Sequence, residues 1–281
     1  MRITVGIPSR GRPLDLIASV LVLDKLKSHG HQIEYLIAYD RDDEATNSAV
    51  NELLDRDIGV VAVERGRPLG LGELHNRMAG MTPADGTFLL WSDRIVPITS
   101  QWDHQISNGV LLYPNRVLWV DSIHLLGPGQ FVLPPAWRAA QGDPCPGVFP
   151  FWFEDSALEE IDHYVWGFPR MRCAADCAGP RTQKTNRCRD IPFWISYYAA
   201  LRPSRVEEAR RIARKLGIAP RPDIAEMTVH WVQRDADMLS RADDLAQRFG
   251  AEGEPDDSYL AAKRAAEEHM QELVSLEEAA E

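Results

Sequence analysis

The apolar run Phe88, Leu89, Leu90, Trp91 leads straight into Ser92, Asp93 and Arg94, in the stretch FLLWSDRIVP. The run is too short and too apolar for an amphipathic helix and reads as the end of a buried strand. In an open α/β sheet, ligands sit beyond the carboxyl ends of the strands. Asp93 there can hold a divalent ion or face a phosphate-bearing substrate, although an Asp after a strand also serves as an ordinary helix cap. A second acidic pair, Glu154 and Asp155, follows Phe151, Trp152 and Phe153. Adjacent carboxylates in an aromatic setting push one pKa upward, which suits a general base near neutral pH. Asp155 is the expected base with Glu154 beside it, and both also fit the start of a helix. Arg10 and Arg12 flank Gly11 in a short loop and are candidate phosphate contacts, or else solvated charge. Asp40, Asp42 and Asp43 make a third acidic cluster at the end of another apolar run.

The segment 170–189 is of a different kind. It holds Arg170, Arg172, Arg181, Lys184, Arg187 and Arg189 against Asp176 alone, a local +5 in an otherwise acidic chain. Such a patch attracts a phosphate backbone, and Phe168, Phe193 and Trp194 offer stacking surfaces nearby; the plain alternative is a solvated loop. Cys173, Cys177 and Cys188 share this segment and Cys145 precedes it, so the four are candidates for a structural zinc site, against free thiols as the default in a cytoplasmic protein. His75, His124 and His163 stand isolated and are expected to be structural or exposed rather than ligands. Gly70-Leu71-Gly72 lacks the third glycine of a dinucleotide-binding turn, and there is no Walker A sequence.

Positioning these groups requires a regular scaffold, and the pattern supplies one. Strands are expected at 3–8, 33–39, 60–63 and 88–91, with helices between them at 13–29, 46–55 and within 69–81. Pro13 suits a first helical position, and Gly30 a stop. This alternation predicts an α/β fold with a largely parallel sheet flanked by helices. Further on, a helix is expected at 99–109, a strand at 117–120 and a helix at 156–164. The Gly/Pro-dense 127–147 reads as irregular and 167–190 as a polar loop. Helices follow at 192–201, 204–216, 223–249 and from 256 to about 279.

The chain has 281 residues, 44% hydrophobic and 26% charged, the composition of an ordinary globular protein. Its net charge of −11 is mostly local, since 250–281 alone carries −8, and acidity therefore says little about any site. The opening MRITVGIPSRGRP lacks the apolar run and cleavage site of a signal peptide, and no stretch approaches a membrane span, which gives a cytoplasmic expectation.

Taken in order, VGIPSRGRP, AYDRDD, GLGELHNRMAG, FLLWSDRIVP and FWFEDSALEE resemble the successive motifs of the GT-A glycosyltransferases. The resemblance extends to small phage-type members, including those that decorate modified DNA bases. It implies a GT-A, Rossmann-like mixed sheet over 1–200, with a nucleotide-sugar half to about 98, an acceptor half after it, and a helical extension over 201–281. It also implies a UDP-sugar donor held by Pro8, Arg10, Arg12, Asp40, Asp42, Asn76, Ser92 and Arg94, with Mn²⁺ or Mg²⁺ on Asp93. Asp155 would then be the base of an inverting displacement, and DNA bearing 5-hydroxymethylcytosine the acceptor, met by the 170–189 cations. A surface glycan or protein acceptor, or an inactive nucleotide-sugar-binding module, are the alternatives. Such proteins usually carry two acids in the metal motif, whereas here Ser92 and Arg94 flank a single Asp93, so Arg94 either pairs with Asp93 or itself meets donor phosphates.

Overall fold

The computed structural model describes residues 1–65, 71–122, 130–145, 149–150, 153–179, 188–250, 253–255 and 257–278. The first half alternates as its periodicity predicts: β1 (Arg2–Pro8), α1 (Pro13–Leu26), β2 (Gln32–Asp40), α2 (Glu44–Leu54), β3 (Val60–Arg65), α3 (Leu71–Met81) and β4 (Thr87–Leu90). Then come β5 (Val96–Pro97), α4 (Trp102–Leu112), β6 (Leu118–Ser122), β7 (Gln130–Leu133), α5 (Pro135–Gln141), α6 (Glu154–Trp166) and β8 (Met171–Ala178). The remainder is helical: α7 (Ile191–Ala200), α8 (Arg202–Lys215), α9 (Ile224–Ser240), α10 (Ala242–Phe249) and α11 (Asp257–Glu278).

The strands form one sheet in the order β3-β2-β1-β4-β7-β6-β8-β5. β1, β2, β3 and β4 are mutually parallel, β7 runs against β4 and β6, β8 runs with β6, and β5 runs against β8. Strand alternation sends side chains to two cores. Ile3, Val5 and Ile7 pack with Leu16, Val20, Leu23, Trp91 and Trp102 on the α1, α2 and α4 face. Leu36, Phe88 and Trp119 pack on the opposite face with Met78, Trp137, Leu158, Ile212 and Trp231 from α3, α5, α6, α8 and α9. A third core joins Phe149 and Phe153 to Trp194, Tyr197 and Tyr198 of α7 and to Tyr259 of α11. α8 and α9 therefore share the second core with the sheet, and α10 and α11 pack in the third with α7. Gly6 is required where β1 crosses this packing, because an added Cβ would lie 2.6 Å from the Phe88 ring.

Three expectations are corrected. The 127–147 stretch contains β7 and α5; a four-residue strand buried between β4 and β6 needs no long apolar signal, and the following Pro134-Pro135 ends the strand and starts the helix. The 167–190 stretch contains β8, in which Cys173, Ala175 and Cys177 alternate inward and Arg172, Ala174 and Asp176 outward. The single helix expected at 223–249 breaks at Arg241 into α9 and α10. Among the described residues, no helix is long and apolar enough to cross a membrane.

Candidate active site

Because β1, β2 and β4 run parallel, the segments that follow Pro8, Asp40 and Leu90 emerge at one edge of the sheet. The Ser9 backbone N–H donates to the Ala38 carbonyl at 2.9 Å and draws the first two together. Asp93 is 1% exposed. Its Oδ2 accepts from Ser9 Oγ at 2.9 Å and its Oδ1 from Arg12 Nη1 at 3.1 Å. Burial raises the Asp93 pKa, against the opposing pull of Arg12 and Ser9. Arg10 grips Asp42 with two parallel bonds, Nη1 to Oδ1 and Nη2 to Oδ2, each 2.9 Å, and also donates to Asp40. These bonds, Asp42 first and Asp40 second, lift the Arg10 pKa above its ordinary value. Asp43 caps α2 by accepting from Thr46 N at 3.1 Å and also accepts from Gly11 N at 2.6 Å, which fixes the loop between the two arginines. The structure thus brings Pro8, Arg10, Arg12, Asp40, Asp42 and Asp93 to one edge.

Ser92 Oγ lies 3.5 Å from Asp93 Oδ1, at the limit of a hydrogen bond. Arg94 pairs with Asp15 of α1, its Nε 3.6 Å from Oδ2, and not with Asp93. A divalent ion fits this donor set poorly. Asp93 is the single acid of the SDR turn, both of its oxygens are engaged, and the Arg12 guanidinium occupies the oxygen that a cation would take. Asp93 also belongs to no group of three candidate ligands among the described residues.

The two adjacent acids diverge. Phe153 precedes them with φ 66°, in the left-handed region, and its ring stacks on Tyr198 at 5.0 Å. Glu154 turns inward and is buried, its Oε2 3.2 Å from His75 Nδ1. Asp155 is half-buried, with Oδ1 accepting from Ser156 N at 2.8 Å. Burial pushes the Asp155 carboxyl up to about 6, while the Ser156 N–H and the Arg234 charge hold it down. α3 runs from the carboxyl edge of the sheet back to the start of β4, so its first turns, which carry His75, lie at that edge. Through the Glu154–His75 contact the start of α6, and Asp155 with it, is tied to the same edge.

Glu154, expected beside the base, is buried against His75. Asn76, expected at the donor, instead clips the Cys145 backbone from both sides, Nδ2 to the carbonyl and Oδ1 from the N–H, each at 2.8 Å. The zinc expectation also fails as drawn. Cys173 and Cys177 lie in the first core, Cys145 in the second and Cys188 in the third, so the four sulfurs do not converge. His75 is no isolated histidine, since Nδ1 also lies 3.7 Å from Cys145 Sγ. His163 is buried against Phe168 and Trp231 and held neutral, its pKa lowered to about 3 by burial. Arg170 lies 3.4 Å from Glu159, and Arg189 donates to the Glu254 carbonyl. Arg172 is exposed on β8. Arg181, Lys184, Arg187 and His124 lie outside the described residues. Sequence reasoning missed Ser9, although it sits within VGIPSRGRP beside Arg10, and Arg234, whose Nη2 donates to Ser156 Oγ at 2.8 Å beside Asp155; nothing in the local sequence marks Arg234.

No protein-family model matches the chain, and no curated protein does. Solved structures do. Residues 1–349 of S. aureus TarS in complex with UDP-GlcNAc superpose with a TM-score of 0.63 at 12% identity, over 88% of this chain and 76% of that one. The mannosyltransferase PcManGT from Pyrobaculum calidifontis, in complex with GDP-Man and Mn²⁺, gives 0.54 at 12% identity over 98% of this chain and 82% of that one. GalNAc-T7 with UDP, GalNAc and Mn²⁺ gives 0.57 at 10% identity over 89% of this chain and 58% of that one. The mixed eight-stranded sheet and its helical C-terminus therefore have the GT-A glycosyltransferase fold.

Proposed function

We propose that this chain transfers a sugar from a nucleotide diphosphate sugar, UDP-linked by preference, to an acceptor hydroxyl with inversion. The observation that carries the reading is Asp155: a half-buried carboxylate with its pKa raised to about 6, at the same sheet edge as the Arg10, Arg12 and Asp93 cluster, in a GT-A fold. In the reaction the acceptor O–H proton passes to the Asp155 carboxylate as the acceptor oxygen attacks the anomeric carbon. The bond from that carbon to the diphosphate oxygen breaks, and the nucleoside diphosphate leaves with the electron pair. Arg12, 40% exposed, and Arg10, 48% exposed, are the cations in reach of solvent that would neutralise the leaving charge. Asp40 and Asp42, fixed by Arg10, are candidates for the ribose or base. No step is routed through a metal, because Arg12 already balances Asp93.

DNA bearing 5-hydroxymethylcytosine is the first acceptor to test, on the strength of the 170–189 cations, with surface glycans and proteins next. The single acid of the metal motif supports the second reading, a module that binds a nucleotide sugar without turning it over. One experiment separates them: mass spectrometry of nucleosides from hydroxymethylcytosine-containing DNA incubated with the full chain and a panel of nucleotide sugars, beside slow donor hydrolysis in the absence of acceptor. A hexose on the base, reduced ~10²–10⁴-fold in Asp155→Asn, establishes reaction, acceptor and base together. Donor hydrolysis lost in Asp155→Asn without base modification retains the transferase and discards DNA. Turnover of no donor, with donor binding intact, establishes the binding module.

A further inference from the structure

Three segments remote in sequence meet at one buried point. α3 brings His75, the segment after α5 brings Cys145, and the first turn of α6 brings Glu154. All three side chains are buried, and one ligand atom from each lies within 4.8 Å of the others. The measured edges are 3.7 Å from Nδ1 to Sγ and 3.2 Å from Nδ1 to Glu154 Oε2. A tetrahedral ion with ordinary metal–nitrogen, metal–sulfur and metal–oxygen bonds sets these edges at about 3.6 Å and about 3.3 Å.

Hydrogen bonding alone does not satisfy the group. Nδ1 carries at most one hydrogen, so it can donate to the thiol or to the carboxylate but not to both. The His75 ring and the Gly72 backbone N–H approach the Glu154 carboxylate, but neither makes a well-formed hydrogen bond to its buried oxygens. Next to His75 on α3, Asn76 holds the Cys145 backbone by two 2.8 Å bonds, so the sulfur is presented by a fixed frame of the kind that orients metal ligands.

We propose that His75 Nδ1, Cys145 Sγ and a Glu154 carboxylate oxygen bind a divalent cation of the zinc class, with a fourth position left for water. On binding, the Cys145 thiol gives its proton to solvent, and thiolate and carboxylate together neutralise the ion, leaving no net buried charge. The site contains none of the Arg10, Arg12 and Asp93 cluster and does not depend on the transferase reading. It is a staple: it joins the second core to the start of α6, one residue before Asp155.

The test uses cobalt as a spectroscopic stand-in. The full chain is produced in cobalt-supplemented medium, and its metal content and near-ultraviolet spectrum are measured, with zinc-grown protein compared in thermal melts. The expected result is a single equivalent of cobalt with a thiolate-to-cobalt charge-transfer band, lost in Cys145→Ser and retained in Cys188→Ser, and a higher melting temperature for the zinc-grown chain than for the same chain stripped by chelator. Cobalt bound at a carboxylate site gives no such band, so metal elsewhere is not mistaken for this site. A wild-type chain without the band, or a band that survives in Cys145→Ser, overturns the proposal. If Cys145→Ser does not fold, the wild-type spectrum and metal content decide.

Discussion

Two arginine–carboxylate clusters in this molecule use the same chemistry to opposite ends. In the interior, Glu160 of α6 is fully buried and saturated: Oε1 accepts from Arg202 Nε at 2.8 Å and Tyr164 Oη at 2.8 Å, and Oε2 from Arg205 Nε at 2.6 Å and Tyr198 Oη at 2.7 Å. Arg202 continues to Asp235, so α6, α7, α8 and α9 are bound through one carboxylate. At the sheet edge the carboxylates Asp40 and Asp93 are equally buried, but the arginines that meet them are 48% and 40% exposed and lead outward. Burial of both partners makes a strut, whereas burial of the acid alone makes a base on which a cation is presented to whatever enters. Residue type does not separate the two; solvent access to the guanidinium does.

The contrast is broken most severely at the interior. Glu160→Ala leaves Arg205 buried without a carboxylate partner and Arg202 with Asp235 alone, and should cost ~3–5 kcal/mol in chemical denaturation. A loss below about 1 kcal/mol would mean that the interior cluster is no strut. Arg12→Gln keeps a donor for Asp93 while removing the charge. It should weaken donor binding ~10–100-fold by calorimetry, at a stability cost within about 1 kcal/mol; equal losses in both would put Arg12 with the struts. The pH profile sharpens the comparison further. On the proposed mechanism Asp155 accepts a proton only when ionised, so turnover should fall as pH drops through about 6, reaching roughly a tenth a pH unit below, and a flat profile would exclude it as the base. Its sign in stability is also distinctive. The folded pKa lies above the unfolded value, so ionising Asp155 opposes folding as pH rises from the ordinary carboxylate range towards about 6. The smallest effect is none: with Arg12 in the cation's place, chelator should leave donor affinity at the sheet edge unchanged, and a loss on adding EDTA, restored by Mn²⁺, would restore a metal to Asp93.

Much of the scaffold was legible because its signals are local. β1 to β4 are short apolar runs ending in acids or turns, and the helices between them carry Pro13, Asp43 and spaced apolar residues. β7 and β8 were not, because each is defined by its neighbours in the sheet: Gln130–Leu133 is hidden among prolines and glycines, and Met171–Ala178 by small and charged residues. In the site, Asp93, Arg10, Arg12 and the acids after β2 were visible from their place at strand ends. The division of labour between Glu154 and Asp155 was not, since neighbouring carboxylates look alike until a backbone turn sends one to His75 and leaves the other half-buried. Partners joined only in space, such as Asn76 with Cys145, Arg94 with Asp15 and Arg234 with Ser156, leave no trace in local spacing.

That backbone turn has a further consequence. Phe153 occupies a conformation that a phenylalanine avoids at a cost of roughly 1–2 kcal/mol, and it is kept there by the aromatic core that Tyr198 shares with Trp194 and, from the last helix, Tyr259. The orientation of the carboxylate two residues on is therefore underwritten by helices far along the chain. On the proposed mechanism, shortening α11 would act as a remote handle on proton transfer: Asp155 would keep its identity and lose its aim.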